Sequence, residues 1–227
     1  MRISILTLFP EMFSGPFDSS IIARAQKKHA VSIELVNLRD FSTDRYHSVD
    51  DHPYGGGAGM ILRVDVIDRA VTTLRGKQSI VVLLDPQGTV YTQKTARSLS
   101  ECEHLILICG HYEGIDERVR SLVDEEISIG DFITTGGEIP AMLLVDSLVR
   151  LLPGVLAKPE ASVDESFTEN RLEYPQYTRP ETHGGIRVPA ILLSGNHKNI
   201  SDWRKSQSLT RTKKRRPDLI GSQRKGV

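Results

Sequence analysis

The sequence has few of the features that mark secreted, membrane-spanning or disordered proteins. It contains only two cysteines and one tryptophan among 227 residues, its formal net charge is zero, and it has no apolar run of membrane-spanning length. The early run at residues 3–9 contains Ser4 and Thr7 and is followed by Pro10, so we expect neither a secretion signal nor a membrane partner. The sparse cysteines favour a reducing compartment over a disulfide framework. We therefore expect a cytoplasmic protein.

The chain also lacks two common nucleotide-binding motifs and a convincing metal-binding pattern. Neither G-x-G-x-x-G nor G-x-x-x-x-G-K-[ST] occurs, so a nucleotide-bearing ligand has to be held in another way. Two Cys-x-His pairs, at residues 102–104 and 109–111, superficially resemble a zinc set. A predicted strand separates these pairs, and seven extended residues span up to ~23 Å. Because zinc ligands lie about 2.0–2.3 Å from the ion, we expect no metal site there.

Charge is unevenly distributed although its sum is zero. Residues 201–227 contain nine Lys and Arg against two Asp and Glu, so residues 1–200 carry a formal charge of −7. A basic end on a neutral protein favours a partner that bears phosphates, such as RNA; a solvated tail is the alternative.

Short apolar runs alternate with amphipathic stretches along the first two thirds of the chain. Strands are expected at residues 3–9, 31–36, 80–84 and 104–108, and helices at residues 64–74 and 139–152. This order predicts an α/β fold with a mostly parallel sheet covered by helices. Residues 153–189 are rich in proline and show little periodicity, and a short polar region with a helix near residues 200–209 follows.

Glycine-rich loops are the expected ligand-binding elements. In an open α/β sheet the ligand binds beyond the carboxyl ends of the strands, which directs attention to residues 84–88, 109–114 and 129–137. Each loop contains glycine, which lets backbone groups approach a ligand closely. A further glycine-rich segment, residues 53–60, is either a phosphate cradle or a flexible turn.

Seven segments carry a resemblance to a known family. They occur in order at residues 6–13, 53–60, 109–118, 128–131, 136–142, 177–180 and 192–197. Together they closely resemble the bacterial tRNA (guanine-N1)-methyltransferases of the SPOUT class, over essentially the whole chain. The resemblance implies a SPOUT-type α/β domain at residues 1–160, whose parallel sheet carries a deep C-terminal trefoil knot. A flexible linker or lid at residues 161–175 and a small, mostly helical tRNA-binding domain at residues 176–227 would follow.

The same resemblance implies the reaction and the partners. The family transfers a methyl group from S-adenosyl-L-methionine to N1 of the guanosine immediately 3′ of the anticodon in tRNA, giving 1-methylguanosine and S-adenosylhomocysteine. It acts as a homodimer with active sites at the subunit interface. It is also associated with Mg²⁺, for which the sequence offers no dedicated ligand set. The alternatives are another SPOUT-class RNA methyltransferase and an RNA-binding protein without catalysis.

The resemblance further assigns candidate residues to binding roles. Cofactor contacts are implied at Leu83, Leu84, Pro86, Gly110, Ile129, Gly130, Asp131, Phe132, Ile133, Thr134, Gly136, Gly137 and Pro140. RNA contacts are implied at Tyr54, Gly55, Gly56, Gly57, Glu173, Ser194, Gly195, Asn196 and His197.

Methyl transfer to guanine N1 requires a base at N1 and a cation near O6, where charge develops. Arg150 matches the family's catalytic arginine, and Glu113 matches its acidic residue near the guanine. The family has Asp before a Ser-Phe pair, whereas this chain has Glu165 there and Asp164 one residue earlier. A carboxylate that is one methylene longer reaches about 1 Å further, which matters in a positioned reaction. We favour Glu165 as the base, and Asp164 is the alternative.

Overall fold

The computed structural model describes residues 1–157 and 165–221, so the candidate base Asp164 lies outside the described residues. The chain divides into two compact units, Met1–Ala157 and Lys158–Val227. The strands of the first unit are β1 (Arg2–Thr7), β2 (Ser32–Asn37), β3 (Asp50–Asp51), β4 (Ile61–Leu62), β5 (Ser79–Val90), β6 (His104–Cys109) and β7 (Glu125–Ser128). Five of them form one sheet in the order β2-β1-β6-β5-β7, and every neighbouring pair is parallel. The predicted α/β fold with a parallel sheet is confirmed.

Four helices cover the two faces of this sheet, namely α1 (Ser20–Lys27), α2 (Val64–Leu74), α3 (Gln93–Ser100) and α4 (Glu138–Val149). Alternate residues of β6 point to opposite faces, as the twofold period of a strand requires. Leu105 and Leu107 pack in one core cluster with residues of α1, α3 and α4. Ile106 and Ile108 pack in the other with residues of α2. The sheet is therefore buried on both sides, which explains its continuous apolar runs.

Two boundaries in the first unit differ by three residues or more from the sequence prediction, for physical reasons. The strand predicted at residues 80–84 continues to Val90, because both Leu84 and Thr89 pair with Ile127 of β7 and the residues between them bulge. The helix predicted to reach residue 152 ends at Val149, and Arg150 forms its C-cap. In contrast, α2 has the predicted bounds.

The second unit combines a short hairpin with helices. Its elements are β8 (Thr182–His183), β9 (Ile186–Arg187), α5 (Ala190–Leu193), α6 (His197–Arg215) and α7 (Asp218–Gly221). The helix predicted near residues 200–209 is the middle of the longer α6. Residues 165–173, which we expected to belong to a separate linker, pack against α6. In the described parts of the chain, no helix combines the length and the hydrophobicity that a membrane span needs.

Candidate active site

A cavity of about 250 Å³ lies at the carboxyl ends of β6 and β7, beside the bulge of β5. Its wall is built from the three loops that the sequence singles out. Eleven of the predicted cofactor residues line it: Leu84, Pro86, Gly110, Ile129, Gly130, Phe132, Ile133, Thr134, Gly136, Gly137 and Pro140. Leu83 and Asp131 do not line it, and the buried Leu83 side chain packs on the opposite face of the sheet.

The cavity wall is formed by backbone packed directly on backbone. The Gly137 N–H donates a hydrogen bond to the Gly110 carbonyl oxygen at 2.7 Å. A Cβ atom at position 137 would lie 2.6 Å from the Cys109 Cα and 2.7 Å from the Gly110 nitrogen. Since real Cβ atoms do not approach backbone this closely, only glycine fits at this crossing of two loops.

A buried carboxylate lies beneath this crossing. Glu138, the first residue of α4, is 1% exposed and accepts a hydrogen bond from Thr7 Oγ1 at 2.8 Å. Its other oxygen lies 3.9 Å from His111 Nδ1, a buried atom with no hydrogen-bond partner among the described residues. Burial raises the pKa of the neighbouring Cys109 thiol well above its usual range, and the Glu138 charge adds to the shift. His111 thus adds a polar group to the cavity wall, and the buried Glu138 lies next to it.

A second carboxylate belongs to the cavity wall itself. Asp85 Oδ1 accepts the Gln87 N–H at 2.8 Å, which stabilises the bulge of β5. Its Oδ2 lies 3.6 Å from Arg120, whose guanidinium also pairs with Glu117 and Glu126. The Asp85 side chain therefore brings a carboxylate to the cavity, next to the Arg120 guanidinium.

The glycine-rich segment at residues 53–60 meets the cavity at Glu113. The Glu113 N–H donates to the Met60 carbonyl oxygen at 3.0 Å, and the Leu62 N–H of β4 donates to the Gly114 carbonyl oxygen at 3.0 Å. Gly59 has a φ of +81°, and a Cβ there would collide with the Glu113 side chain. The predicted RNA contacts Tyr54, Gly55, Gly56 and Gly57 lie on this segment, and the Tyr54 side chain is fully exposed.

Arg150 lies at the other end of α4 from the cavity. Pro140, in the first turn of α4, lines the cavity, whereas the half-buried Arg150 follows the last turn. Twelve helical residues span about 18 Å at 1.5 Å per residue. The structure therefore brings Glu113 to the cavity but does not bring Arg150 of the same chain there.

The remaining predicted residues lie in the second unit. Glu165 begins the part of this unit that the structure describes, and the Glu173 N–H donates to Ser166 Oγ at 3.0 Å. The predicted RNA contacts Ser194, Gly195, Asn196 and His197 surround the N-terminus of α6, where Asn196 Oδ1 accepts the Asn199 N–H at 3.1 Å. Asn196 is thus a side-chain cap of α6.

Comparison with known proteins decides the family. A family model described as "tRNA (Guanine-1)-methyltransferase TrmD" matches residues 1–222. The chain belongs to this methyltransferase family. The resemblance drawn from the seven segments is therefore confirmed.

Curated members of the methyltransferase family align with almost the entire chain. The tRNA (guanine-N(1)-)-methyltransferase of Carboxydothermus hydrogenoformans is 58% identical over 221 residues, which cover 97% of this chain and 87% of the relative. The protein of the same name from Desulforudis audaxviator is 58% identical over 227 residues, covering 99% and 91% of the two chains. That of Bacillus pumilus is 54% identical over 226 residues, covering 98% and 93%.

The methyltransferase cavity also contains residues that the sequence did not assign. These are Asp85, His111, Tyr112, Gly114, Ile115, Ile127, Ser128 and Thr135. Five of them lie within the three predicted ligand loops. A prediction that assigned every residue of these loops to the site would have included them. Among the described residues, no group of three or more His, Cys, Asp or Glu side chains is arranged to hold a metal ion.

Proposed function

We propose that the protein transfers a methyl group from S-adenosyl-L-methionine to N1 of the guanosine immediately 3′ of the anticodon in tRNA. The products are 1-methylguanosine and S-adenosylhomocysteine. The observation that carries the proposal is the glycine-built cavity at the ends of the parallel strands, with Glu113 at its wall, in a chain of this family. A tRNA substrate also supports a cytoplasmic location.

The lining of the cavity suits the chemistry of the methyl donor. A Cβ at Gly136 would lie 2.6 Å from His111 Nδ1, so glycine is needed beside this side chain. Leu84, Ile133 and Pro140 offer apolar surface to a flat base, and the carboxylates of Asp85 and Glu113 complement a positively charged sulfonium. When bound, the cofactor supplies an electrophilic methyl group. A role for Mg²⁺ rests on the family resemblance alone.

The protein's task is to make N1 of guanine nucleophilic. A carboxylate removes the N1 proton, and we assign this role to Glu165, with Asp164 as the alternative. Arg150 stabilises the negative charge that develops on O6. Glu113, held beside the glycine-rich segment by its backbone hydrogen bond to Met60, orients the guanine next to the methyl group.

Arg150 and the cavity come together only if two chains share the site, which supports a homodimer. Arg150 and the cavity lie at opposite ends of α4, about 18 Å apart along the helix. Ile139 and Leu143, one turn apart on α4, expose apolar side chains. Met12, in the 3-10 turn Pro10–Phe13 that contacts α4, does the same. An exposed apolar face of this kind is typical of a protein interface. A second copy docked there would bring its own Arg150 to the cavity of the first.

The same loops support the trefoil knot of the family. A Cβ at Gly88 would lie 2.5 Å from the backbone of Glu126 and Ile127, and Gly137 crosses Cys109 and Gly110 just as closely. We propose that the knot is formed by residues 84–88, 109–114 and 129–137. Such tight crossings hold a threaded chain without covalent links.

The tRNA is held by the second unit and by the glycine-rich segment. Helix α6 contains seven Lys and Arg against one Asp, so its surface attracts a phosphate backbone. Residues 53–60 offer backbone N–H groups and the exposed Tyr54 ring beside Glu113. Both surfaces therefore contact the RNA backbone and recognise the shape of the tRNA.

The direct test is to incubate the protein with labelled S-adenosylmethionine and a tRNA transcript that has guanosine 3′ of the anticodon, then to identify the methylated nucleoside. We expect 1-methylguanosine, and no label in a matched transcript with adenosine at that position. Label on a ribose or on another base would indicate a different SPOUT-class enzyme. No label, with both ligands shown to bind, would indicate an RNA-binding protein without catalysis.

A further inference from the structure

Residues 165–173 fold into a compact turn that begins with the candidate base. The Phe167 N–H donates to the Arg171 carbonyl oxygen at 2.7 Å, and the Glu173 N–H donates to Ser166 Oγ at 3.0 Å. These bonds close the segment on itself near both ends. The 165–173 turn therefore carries Glu165 on a defined piece of structure.

Two hydroxyl groups of α6 hold this turn by its backbone. Ser208 Oγ donates to the Leu172 carbonyl oxygen at 2.6 Å, and the Leu172 N–H donates to Thr212 Oγ1 at 2.9 Å. Ser208 and Thr212 are four residues apart, so they lie on the same face of the helix. Both polar groups of one peptide residue are thus clamped by successive turns of α6.

The Thr212 hydroxyl both donates and accepts a hydrogen bond. It is completely buried, donates to the Ser208 carbonyl oxygen at 2.7 Å and accepts from Leu172. A buried N–H that loses its acceptor costs about 1–3 kcal/mol. The turn therefore has one strongly preferred position on the helix.

The helix that clamps the turn is also the most basic element of the described chain. Arg216, its C-cap, places its guanidinium 5.8 Å from the centre of the Phe167 ring of the turn. Arg204 lies 4.7 Å over the ring of Tyr174, which follows the turn. The groups that attract RNA and the segment that carries Glu165 are consequently parts of one packed body.

We propose that Ser208 and Thr212 are positioning residues for methyl transfer, which rests on the function proposed above. Their hydroxyls fix the 165–173 turn on α6, so that binding of RNA by α6 also places the Glu165 carboxylate. Neither hydroxyl contacts the reacting atoms. Loss of these hydroxyls should slow the chemical step without lowering the affinity for tRNA.

The test compares two threonines of the same helix. Thr212→Val removes the clamping hydroxyl with little change in shape, and Thr210→Val makes the same change at an exposed position. Single-turnover transfer at saturating cofactor and tRNA should fall about tenfold in Thr212→Val, because misplacement by a fraction of an ångström is costly. It should stay within about twofold of wild type in Thr210→Val, and tRNA affinity should stay within about twofold in both.

Three further variants separate positioning from general damage. Thr212→Ser keeps the hydroxyl and should recover most of the rate. Ser208→Ala should slow transfer relative to Ser206→Ala, its exposed neighbour on α6. In a Glu165→Ala background, adding Thr212→Val should cause no further loss, because the two changes act through the same group.

Equal rates for Thr212→Val and Thr210→Val would overturn the proposal. So would additive losses in the double variant, or a fall in tRNA affinity as large as the fall in rate. If Thr212→Val does not fold, as judged by circular dichroism, the Ser208→Ala and Ser206→Ala pair decides in the same way. Absence of 1-methylguanosine with the wild-type protein would instead contradict the proposed function.

Discussion

The two units hold their functional groups by different kinds of contact. In the first unit, the cavity depends on backbone crossing backbone at Gly137 and Gly110. In the second, the 165–173 turn depends on the hydroxyls of Ser208 and Thr212. A crossing of two backbones tolerates no added side chain, whereas a side-chain clamp can be weakened one hydrogen bond at a time. Cofactor binding and placement of the base should therefore fail separately.

Arg150→Ala is expected to have the largest effect. If Arg150 stabilises the charge on O6, as we propose, its removal should lower single-turnover transfer by roughly a thousandfold. Binding of S-adenosylmethionine should be unchanged, because Arg150 lies at the far end of α4 from the cavity. Calorimetry and rapid-quench transfer measure the two quantities. Normal turnover would remove Arg150 from the mechanism.

Mixing Arg150→Ala with Gly137→Ala tests whether two chains share each site. Randomly exchanged dimers of a twofold-symmetric enzyme should regain about a quarter of wild-type activity, because half are mixed and one site in each mixed dimer is intact. Tagged chains establish that exchange has occurred. Exchange without recovery would mean that Arg150 does not serve the cavity of a second chain.

Gly137→Ala disturbs the backbone crossing and should have the next largest effect. The added Cβ would meet the Cys109 Cα at 2.6 Å, so one loop must move. We expect affinity for S-adenosylmethionine to fall by at least about a hundredfold, equivalent to about 2.7 kcal/mol. Gly76→Ala is the control, since its nearest contact would be an ordinary 3.6 Å to Ser79 Oγ. Unchanged affinity in Gly137→Ala would show that the crossing is not rigid.

The sequence predicted the elements whose periodicity is strong. Helix α2 has the predicted bounds because its apolar positions repeat at helical spacing against one face of the sheet. Helix α6 was predicted too short, since it is mostly polar and buries few of its residues. The four-residue strand β7 begins with two glutamates and gives no clear period, so pairing with β5 fixes it instead.

The ligand loops were predictable from glycine and strand order, but the geometry within them was not. The position of Gly137 against Cys109 depends on two loops that are distant in sequence. The hydrogen bond between Thr7 and Glu138 joins residues 131 positions apart. No local pattern reports such contacts, which arise only when the sheet assembles. The docking of Leu172 on Thr212 is hidden from sequence for the same reason.

Thr7→Val tests the buried carboxylate beneath the backbone crossing. Glu138 would lose its hydrogen-bond donor in a fully buried site, so the free energy of unfolding should fall by about 2 kcal/mol. Thr89→Val, at an exposed position of β5, should change it by less than about 0.5 kcal/mol. Urea denaturation at neutral pH measures both. Equal stabilities of the two variants would contradict the role of Thr7.

Asp65→Asn should have the smallest effect. Burial acts to raise the pKa of Asp65, but hydrogen bonds from Arg63 and Arg69 outweigh it and hold the pKa below 3.8. The stabilisation is therefore present above pH 3.8 and is lost as the pH falls through the folded-state pKa. We expect a cost below ~1 kcal/mol at pH 7, because these ion pairs are partly exposed, and no difference at strongly acidic pH.

Denaturation of wild type and Asp65→Asn at both pH values checks this expectation. A difference in stability that persists in strong acid would show that the substitution acts through packing and not through charge.

The separate roles of the base and of the cofactor cavity are tested most directly by single-turnover methyl transfer. Wild type, Asp164→Ala and Glu165→Ala are compared, with cofactor affinity measured on the same samples. We expect Glu165→Ala to lower the rate of transfer by about a hundredfold, to a residual rate that can still be measured, while S-adenosylmethionine binds normally. Asp164→Ala should retain most of the rate. Loss of transfer only in Asp164→Ala would move the base by one residue. Cofactor binding lost together with transfer in Glu165→Ala would contradict the separation of the two functions.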